Sequence, residues 1–373
     1  MTKQPPPPTI DTASDFCILN GREDARLSDV ERLTILGGAS LDRVLSRLGK
    51  SLANVTLDTF APSLDLATLQ AQSITLSLLR QKGEIARLFA RPTRTVEPEI
   101  TPIHGFPQGA VVDLEFASHF PEGGWVHDPG YTSTEENTTS YVRLWEHRQV
   151  IPNRITIIAI HGWTMGDQRV NSLAFLPGLL YSLGCNVALV ELPFHGRRRP
   201  HGLPHELPLF PSADPIRTCL AVTHALYDLR CLRRFLINRG HTRHSCVGMS
   251  LGAYVTALWA SLDRLDKIAL LVPLLSMGDM AFDLLERTGV RDLNREFMRN
   301  LFSDHHPLKS APETPQESIM VVGGTDDHLV PQSQISQLQA AWPRANVLWV
   351  GGGHAAATNR TEAFDAIAKF LLS

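Results

Sequence analysis

The sequence predicts an α/β protein: a mostly parallel sheet with helices on both faces, a helical N-terminal extension before it, and an insertion late in the chain. Three observations carry that expectation. From about Val111 onward, apolar runs of strand length alternate with amphipathic stretches, as for strands buried on both faces. The pentapeptide Gly248-Met249-Ser250-Leu251-Gly252 stands between one such run and a small-residue helical pattern (Ala253, Tyr254, Ala257, Leu258). Two later runs each end in glycines followed by a polar residue, and parallel sheets build their sites at such strand ends.

Composition agrees with one large domain plus an extension. The chain has 373 residues, 43% apolar and 20% charged, the balance of a globular protein. A net charge of −3 argues against a nucleic-acid surface. The five cysteines (Cys17, Cys185, Cys219, Cys231, Cys246) form no C-x-x-C pair and read as core residues in a reducing compartment. The opening Met1 to Pro8 has no apolar core, and no run has transmembrane length, so a cytoplasmic location is expected.

Residues 1–25, proline-rich and then polar, read as a disordered tail. Residues 26–100 read as a helical extension. Leu41, Val44, Leu45, Leu48 and Leu52 share one face, and a second helical stretch runs from about Leu64 to Phe89. These helices either make peripheral contact with a membrane or pack on the main domain. Pro92, Pro98 and Pro102 mark a boundary, and residues 101–373 carry the sheet. Strands are expected at Val111–Phe116 and Tyr141–Trp145, with a loop holding Gly123, Gly124 and Gly130 between them. The fully apolar Ile155–Ile160 ends at His161-Gly162-Trp163-Thr164. A helix over about Asn171–Leu183 leads to a strand over Asn186–Glu191, which exits through Leu192 to Pro200. A long helix, Pro215–Arg239, stops at Gly240. The run Ser245–Met249, its helix and Ile268–Val272 follow. After the insertion at 274–311, a strand (Ser318–Val322), a helix (Gln332–Ala341), a strand (Val347–Val350) and a helix (Thr361–Leu372) restore the rhythm.

A serine hydroxyl needs a base to take its proton, and the base needs a carboxylate to orient it. A strand-to-helix turn bearing Ser250 requires small flanking residues, which Gly248 and Gly252 supply, and predicts the chain order serine, acid, histidine. The later strands deliver Asp327, within Gly323-Gly324-Thr325-Asp326-Asp327-His328-Leu329-Val330-Pro331, and His354, after Gly351-Gly352-Gly353. Each has a plainer reading alone: Asp327 could cap a helix, and His354 could be a loop histidine.

From about Val111 to the end, these motifs resemble the α/β-hydrolase-fold serine hydrolases. The acid loop G-x-x-D-x-x-V-P is matched by Gly324, Asp327, Val330 and Pro331. The resemblance implies the α/β-hydrolase fold with a lid insertion at about 274–311, and the roles of nucleophile for Ser250, acid for Asp327 and base for His354. Asp326 is the neighbouring alternative acid, and Asp279 the alternative where the acid follows an earlier strand. The resemblance also implies an oxyanion hole from the backbone N–H groups of Leu251 and Trp163. Leu192 to Pro200, with Gly248 to Gly252, is similar to the branch called α/β-hydrolase domain-containing protein eighteen, which implies lipid deacylation. Leu251 and Ala253 stand where that branch has Met and Gly.

His161, His195, Arg197 and Met249 are candidate substrate-binding residues. The run Arg197-Arg198-Arg199 either grips an anionic group or forms internal salt bridges. The insertion's Met277, Met280, Phe282, Leu284, Leu285, Phe297, Met298, Leu301 and Phe302 suit a lid over an acyl chain, or a helix pair sealing the sheet. No H-E-x-x-H or His/Cys metal spacing occurs, and His305-His306 reads as solvent-exposed. The expectation is a cofactor-free, metal-free serine hydrolase acting on a small-molecule ester, thioester or lipid through an acyl-enzyme on Ser250. An amide or peptide hydrolase, an acyltransferase and a noncatalytic binding module on the same fold are the alternatives.

Overall fold

The computed structural model describes residues 66–121, 131, 134–202, 209–212, 214–287, 293–354 and 360–373. The tail expected at 1–25, the helix expected over Leu41 to Leu52, Cys17 and the glycines at 123–130 lie outside them.

The described chain begins with helices α1 (Leu66–Gln81) and α2 (Ile85–Leu88). Strands β1 (Glu99–Phe106), β2 (Gly109–Ala117), β3 (Thr139–His147) and β4 (Ile155–Ile160) follow. Next come α3 (Gln168–Phe175), α4 (Pro177–Ser182), β5 (Asn186–Val190), α5 (Pro215–Asn238), β6 (Arg243–Met249), α6 (Leu251–Leu262) and β7 (Ile268–Leu271). Helices α7 (Met277–Arg287) and α8 (Arg295–Leu301) fill the insertion. The chain ends with β8 (Ile319–Gly324), α9 (Gln332–Ala341), β9 (Asn346–Val350) and α10 (Arg360–Leu372).

One sheet runs in the order β1-β2-β3-β5-β4-β6-β7-β8-β9. The first three strands and the β3–β5 pair are antiparallel, and every pair from β5 to β9 is parallel. The pleat explains the two cores. In β4, buried at every residue, Ile158 and Ile160 face α5 and α6, whereas Ile157 and Ala159 face α3, α4 and α10. The chain leaves β4 for β5 on one side and returns to β6 on the other. That reversal opens a crevice at the strands' carboxyl ends, between the loops after β4 and β6.

Several elements differ from expectation. The proline-marked boundary holds a strand, β1, whose residues are mostly exposed. Proline is tolerated there because an edge strand can leave its N–H side unpaired, and the register slips between Pro102 and His104. The helix expected over 171–183 breaks in two at Leu176, where φ is 49° and Pro177 starts the second piece. The helical stretch expected up to Phe89 breaks at Gly83, with φ of 67°.

His305, expected in solvent, is buried. Its Nε2 lies 2.9 Å from Thr223 Oγ1, and its carbonyl accepts the Tyr254 hydroxyl at 2.6 Å. Burial pushes its pKa down to about 4, so it stays neutral in the core. Met277, Leu285, Met298, Leu301 and Phe302 of the insertion are buried in the main core, while Met280, Phe282 and Phe297 are half-buried against it. Arg80 on α1 reaches Asp304, the Asn300 carbonyl and the Ser303 hydroxyl, fastening α1 to the insertion. Among the described residues, no helix is long and apolar enough to cross a membrane.

Candidate active site

Ser250 follows β6 directly and is the N-cap residue of α6. A serine at that position ordinarily turns its hydroxyl onto the helix N–H groups. Here φ is 54° and ψ −110°, and the side chain makes no capping bond. The hydroxyl instead lies 2.8 Å from His354 Nε2. Such a backbone conformation costs about 1–3 kcal/mol for a residue other than glycine. Its surroundings hold it: Ser250 N–H donates to the Leu271 carbonyl at 2.9 Å, and the Ser250 carbonyl accepts Tyr254 N–H at 3.1 Å. The flanking glycines are required by contact. A Cβ on Gly252 would sit 2.0 Å from the Ile160 carbonyl oxygen, and one on Gly248 would sit 2.3 Å from that of Gly252.

Asp327 and His354 arrive from the carboxyl ends of β8 and β9. Asp327 Oδ1 accepts the N–H groups of Leu329 at 2.9 Å and Val330 at 2.8 Å. This leaves Oδ2 for His354 Nδ1, at 2.8 Å. A carboxylate only accepts, so Nδ1 carries the proton and Nε2 offers its lone pair to the Ser250 hydroxyl. Ser250 and Asp327 are each 8% exposed, so little water competes for these bonds. Asp326, the adjacent acid, takes the exposed Thr325 hydroxyl at 3.2 Å. Asp279 is engaged by Arg299 at 2.8 Å and Arg295 at 3.2 Å.

The loop after β4 passes close to Ser250. A Cβ on Gly162 would lie 3.5 Å from that of Ser250. Gly162 N–H is directed at Met165 Sδ (3.3 Å), and Met165 N–H returns to the Gly162 carbonyl at 3.3 Å, with Thr164 at φ 63°. Trp163 follows Gly162 in this turn and is half-buried against the main core. Leu251 is the first residue of α6, where an N–H has no intrahelical acceptor.

The other candidates have structural partners. His161 is wholly buried, with Nδ1 2.8 Å from the Gly162 carbonyl and Nε2 accepting Leu192 N–H at 3.0 Å. It ties the loops after β4 and β5 together, and burial holds its pKa near 4. His195 donates from Nδ1 to the Pro193 carbonyl at 2.9 Å. Burial first, then the neighbouring His161, push its pKa down to about 3. Met249 packs into the core on the α10 side of the sheet.

The arginine run is engaged internally where its contacts are described. Arg197 pairs with Glu191 at 3.0 Å and Glu115 at 2.8 Å and lies 4.0 Å over the Tyr141 ring. Arg198, at 0% exposure, pairs with Asp228 at 2.8 Å and meets His224 Nε2 at 2.9 Å. Of the two readings of this run, the salt-bridge one describes Arg197 and Arg198. Their guanidinium forks find carboxylates in their own fold before any ligand arrives.

Sequence reasoning missed Glu191. It is 1% exposed and accepts Arg197 N–H at 2.9 Å and Gln168 Nε2 at 3.1 Å, which shapes the loop after β5. Burial raises its pKa, and Arg197 opposes that rise. An acid closing an otherwise apolar strand was the available signal. Met165 gave none, because a thioether accepting an N–H has no sequence pattern. Among the described residues, no group of three or more metal-binding side chains occurs.

Comparison with known proteins follows the same lines. The family described as alpha/beta hydrolase domain containing 18 matches residues 285–370, a span that includes Asp327 and His354 but not Ser250. An uncharacterized protein of Mycobacterium tuberculosis, found in two strains, is 29% identical over 256 residues, 65% of this chain. The matched region spans 58% of that relative's length. Among solved structures, acetyl xylan esterase 1 from Thermoanaerobacterium sp. superposes with a TM-score of 0.54 at 14% identity, over 78% of this chain and 93% of the esterase. The acetyl xylan esterase from Paenibacillus sp. R4 gives 0.54 at 13% identity, over 82% and 99%. With its sheet order and these likenesses, the chain belongs to the α/β-hydrolase fold.

Proposed function

We propose that the protein is a serine hydrolase that cleaves a carboxylic ester or thioester through an acyl-enzyme on Ser250. The observation that carries this reading is the unbroken line Asp327–His354–Ser250, with both contacts to the histidine at 2.8 Å. Two structural neighbours are acetyl xylan esterases, an ester-cleaving precedent on this fold.

In this reading the Ser250 oxygen attacks the acyl carbonyl while His354 Nε2 takes its proton. Asp327 keeps the imidazole oriented and stabilises its charged form. The N–H groups of Leu251 and Trp163 face the oxygen that gains charge. The C–O (or C–S) bond breaks, and His354 returns the proton to the leaving group. Water, deprotonated by His354, then releases the acid and restores Ser250. All of these groups come from the chain's own residues. Half-buried Met280, Phe282 and Phe297 are among the insertion residues that would meet an apolar acyl chain, which is the lid reading of this segment. The exposed Ile74 and Leu78 on α1 are where a peripheral membrane contact would begin. A reducing, cytoplasmic setting is proposed because Cys185, Cys219 and Cys246 are buried free thiols.

A fluorophosphonate probe tests the reading. It is expected to label the wild-type chain and to leave Ser250→Ala unlabelled. Labelling that persists in Ser250→Ala, or an unlabelled wild type, would overturn the assignment. An ester series of increasing acyl length then reads the pocket, and a preference for short soluble esters would remove the lid role.

A further inference from the structure

The forks of Arg197 and Arg198 are occupied by carboxylates of their own fold, but a second arginine group at the far end of α5 is answered only in part. Helices α5 and α6 both run back from the crevice, so their C-terminal ends meet at the amino ends of the strands. The 12 residues of α6 put that meeting point roughly 18 Å from Ser250 at 1.5 Å per residue. An open cavity of about 540 Å³ lies there, lined by Arg91, Arg230, Arg233, Arg234, Arg264 and Asp263 among others. Arg230, Arg233 and Arg234 share a helix face by their spacing.

Two of these arginines are accounted for. Arg230 pairs with Asp263 at 2.6 Å and donates to the Phe89 carbonyl. Arg234 Nη1 donates to the carbonyls of Pro92, Thr93 and Arg94 at 3.2–3.4 Å. Arg91 is a third, weaker case. It reaches Asp263 at 3.2 Å while 78% exposed. Asp263 thus answers Arg230 and Arg91 together. Burial pushes its carboxyl up, but the Arg230 bond and charge and the Trp259 N–H outweigh burial, and its pKa falls.

Arg233 and Arg264 have no such answer. Among the described residues neither forms an ion pair, and Arg233 Nε is sealed from solvent with no hydrogen-bond partner. Burial and the repulsion of Arg91 and Arg230 push the Arg233 pKa down, against the pull of Asp263 and Asp266. The lining carries five guanidiniums against one carboxylate, a surplus of four positive charges on a chain whose net charge is −3. Two helix C-termini offset only about one of these charges. A partly buried cation without a partner is unfavourable unless an anion completes it. The alternative, arginine stems covering apolar surface with solvated heads, leaves the four surplus charges of the lining unanswered.

We propose that this cavity binds a phosphate-type oxyanion, held by Arg233 and Arg264 with Arg91 at its rim. Guanidinium forks match the paired oxygens of such a group, and the cavity can hold more than one of them. The site is separate from the crevice at Ser250, so its ligand is not the ester being cleaved.

Calorimetric titration of the full chain with inorganic pyrophosphate at low ionic strength tests it. Saturable binding is expected. Arg233→Gln and Arg264→Gln are each expected to weaken it about tenfold or more, while Arg148→Gln, at an exposed arginine elsewhere, leaves it unchanged. A parallel arm measures co-flotation with phosphatidylcholine vesicles, with and without phosphatidic acid. Binding to pyrophosphate marks a soluble ligand, and arginine-dependent binding only to the phosphatidic acid vesicles marks a lipid headgroup. Either result supports the site. If neither probe distinguishes wild type from the Arg233→Gln/Arg264→Gln pair, the proposal fails. Should that pair not fold, the exposed Arg264→Glu gives the same readout. Because the readout is binding, failure of the ester-hydrolase reading leaves this test intact.

Discussion

At the scale of single residues, position is set by what each side chain's second atom is doing. Asp327 Oδ1 is held by two loop N–H groups, and only for that reason does Oδ2 stay aimed at His354. Asp327→Asn keeps the shape but lets the imidazole adopt the wrong tautomer. A loss of roughly 10³- to 10⁴-fold in kcat is expected, with little change in KM. Steady-state kinetics on any ester that the wild type turns over will check it. Arg198 illustrates the same point without chemistry. Its carboxylate partner, Asp228, is 2% exposed, and burial raises the Asp228 pKa against the pull of Arg198. Arg198→Ala would strand that acid and remove a bond to His224. A loss of about 3–5 kcal/mol is expected from denaturant unfolding, and a variant as stable as wild type would contradict this account. In sequence the triplet Arg197-Arg198-Arg199 fits an anion grip and internal salt bridges equally well. Nothing local says that Asp228, 30 residues later on α5, lies within 2.8 Å of Arg198.

At the scale of elements, the decisive contact is β4 against β6 and α6. The helix comes so near that its first turn has no room for a side chain on Gly252. Gly252→Ala places a methyl against the Ile160 carbonyl, and this packed backbone has nowhere to move. A destabilisation of about 1–3 kcal/mol, together with loss of fluorophosphonate labelling, is expected. Thermal unfolding and the probe read the two effects separately. Element boundaries were legible wherever an apolar run was buried on both faces, as for β4 and β5. They were not legible for β1, whose exposed residues carry no periodic signal and whose Pro102 argues for a break. The interruption between α3 and α4 was legible in Pro177, which ends a helix at the residue before it, although Leu176 gives no hint of its left-handed backbone.

At the scale of the whole molecule, buried imidazoles set the response to acid. His161, His244 and His305 are held near pKa 4 and His195 near 3, each mainly by burial, and His224 is lowered in the same way. In the unfolded chain these groups take up protons near pH 6.5. Between that pH and about 4 the unfolded state therefore binds more protons than the folded one. Stability is full above about pH 6.5 and falls as pH drops. Each histidine contributes a slope of up to about 1.4 kcal/mol per pH unit. Denaturant midpoints are expected to fall steeply from pH 7 to pH 5. A flat profile over that range would show that the five imidazoles are not held neutral. His305 again marks what was hidden: adjacent histidines in a polar loop gave no sign that Thr223 and Tyr254 close over one of them.

The sequence by itself determined the α/β class, most of the strand order along the chain, and the residue types that meet at Ser250. These are properties of local periodicity and of short motifs whose small residues have a steric cause. The tertiary structure alone decided which polar groups are free. It paired Arg197 and Arg198 with acids brought by β2, β5 and α5, and it turned Asp327 rather than Asp326 toward His354. It also left Arg233 without a described partner at the far end of α5. A charge in a sequence has no neighbours until the chain folds, and whether it is paired, buried or waiting for a ligand depends on contacts between separate elements of the chain. Periodicity survives in one dimension; pairing does not.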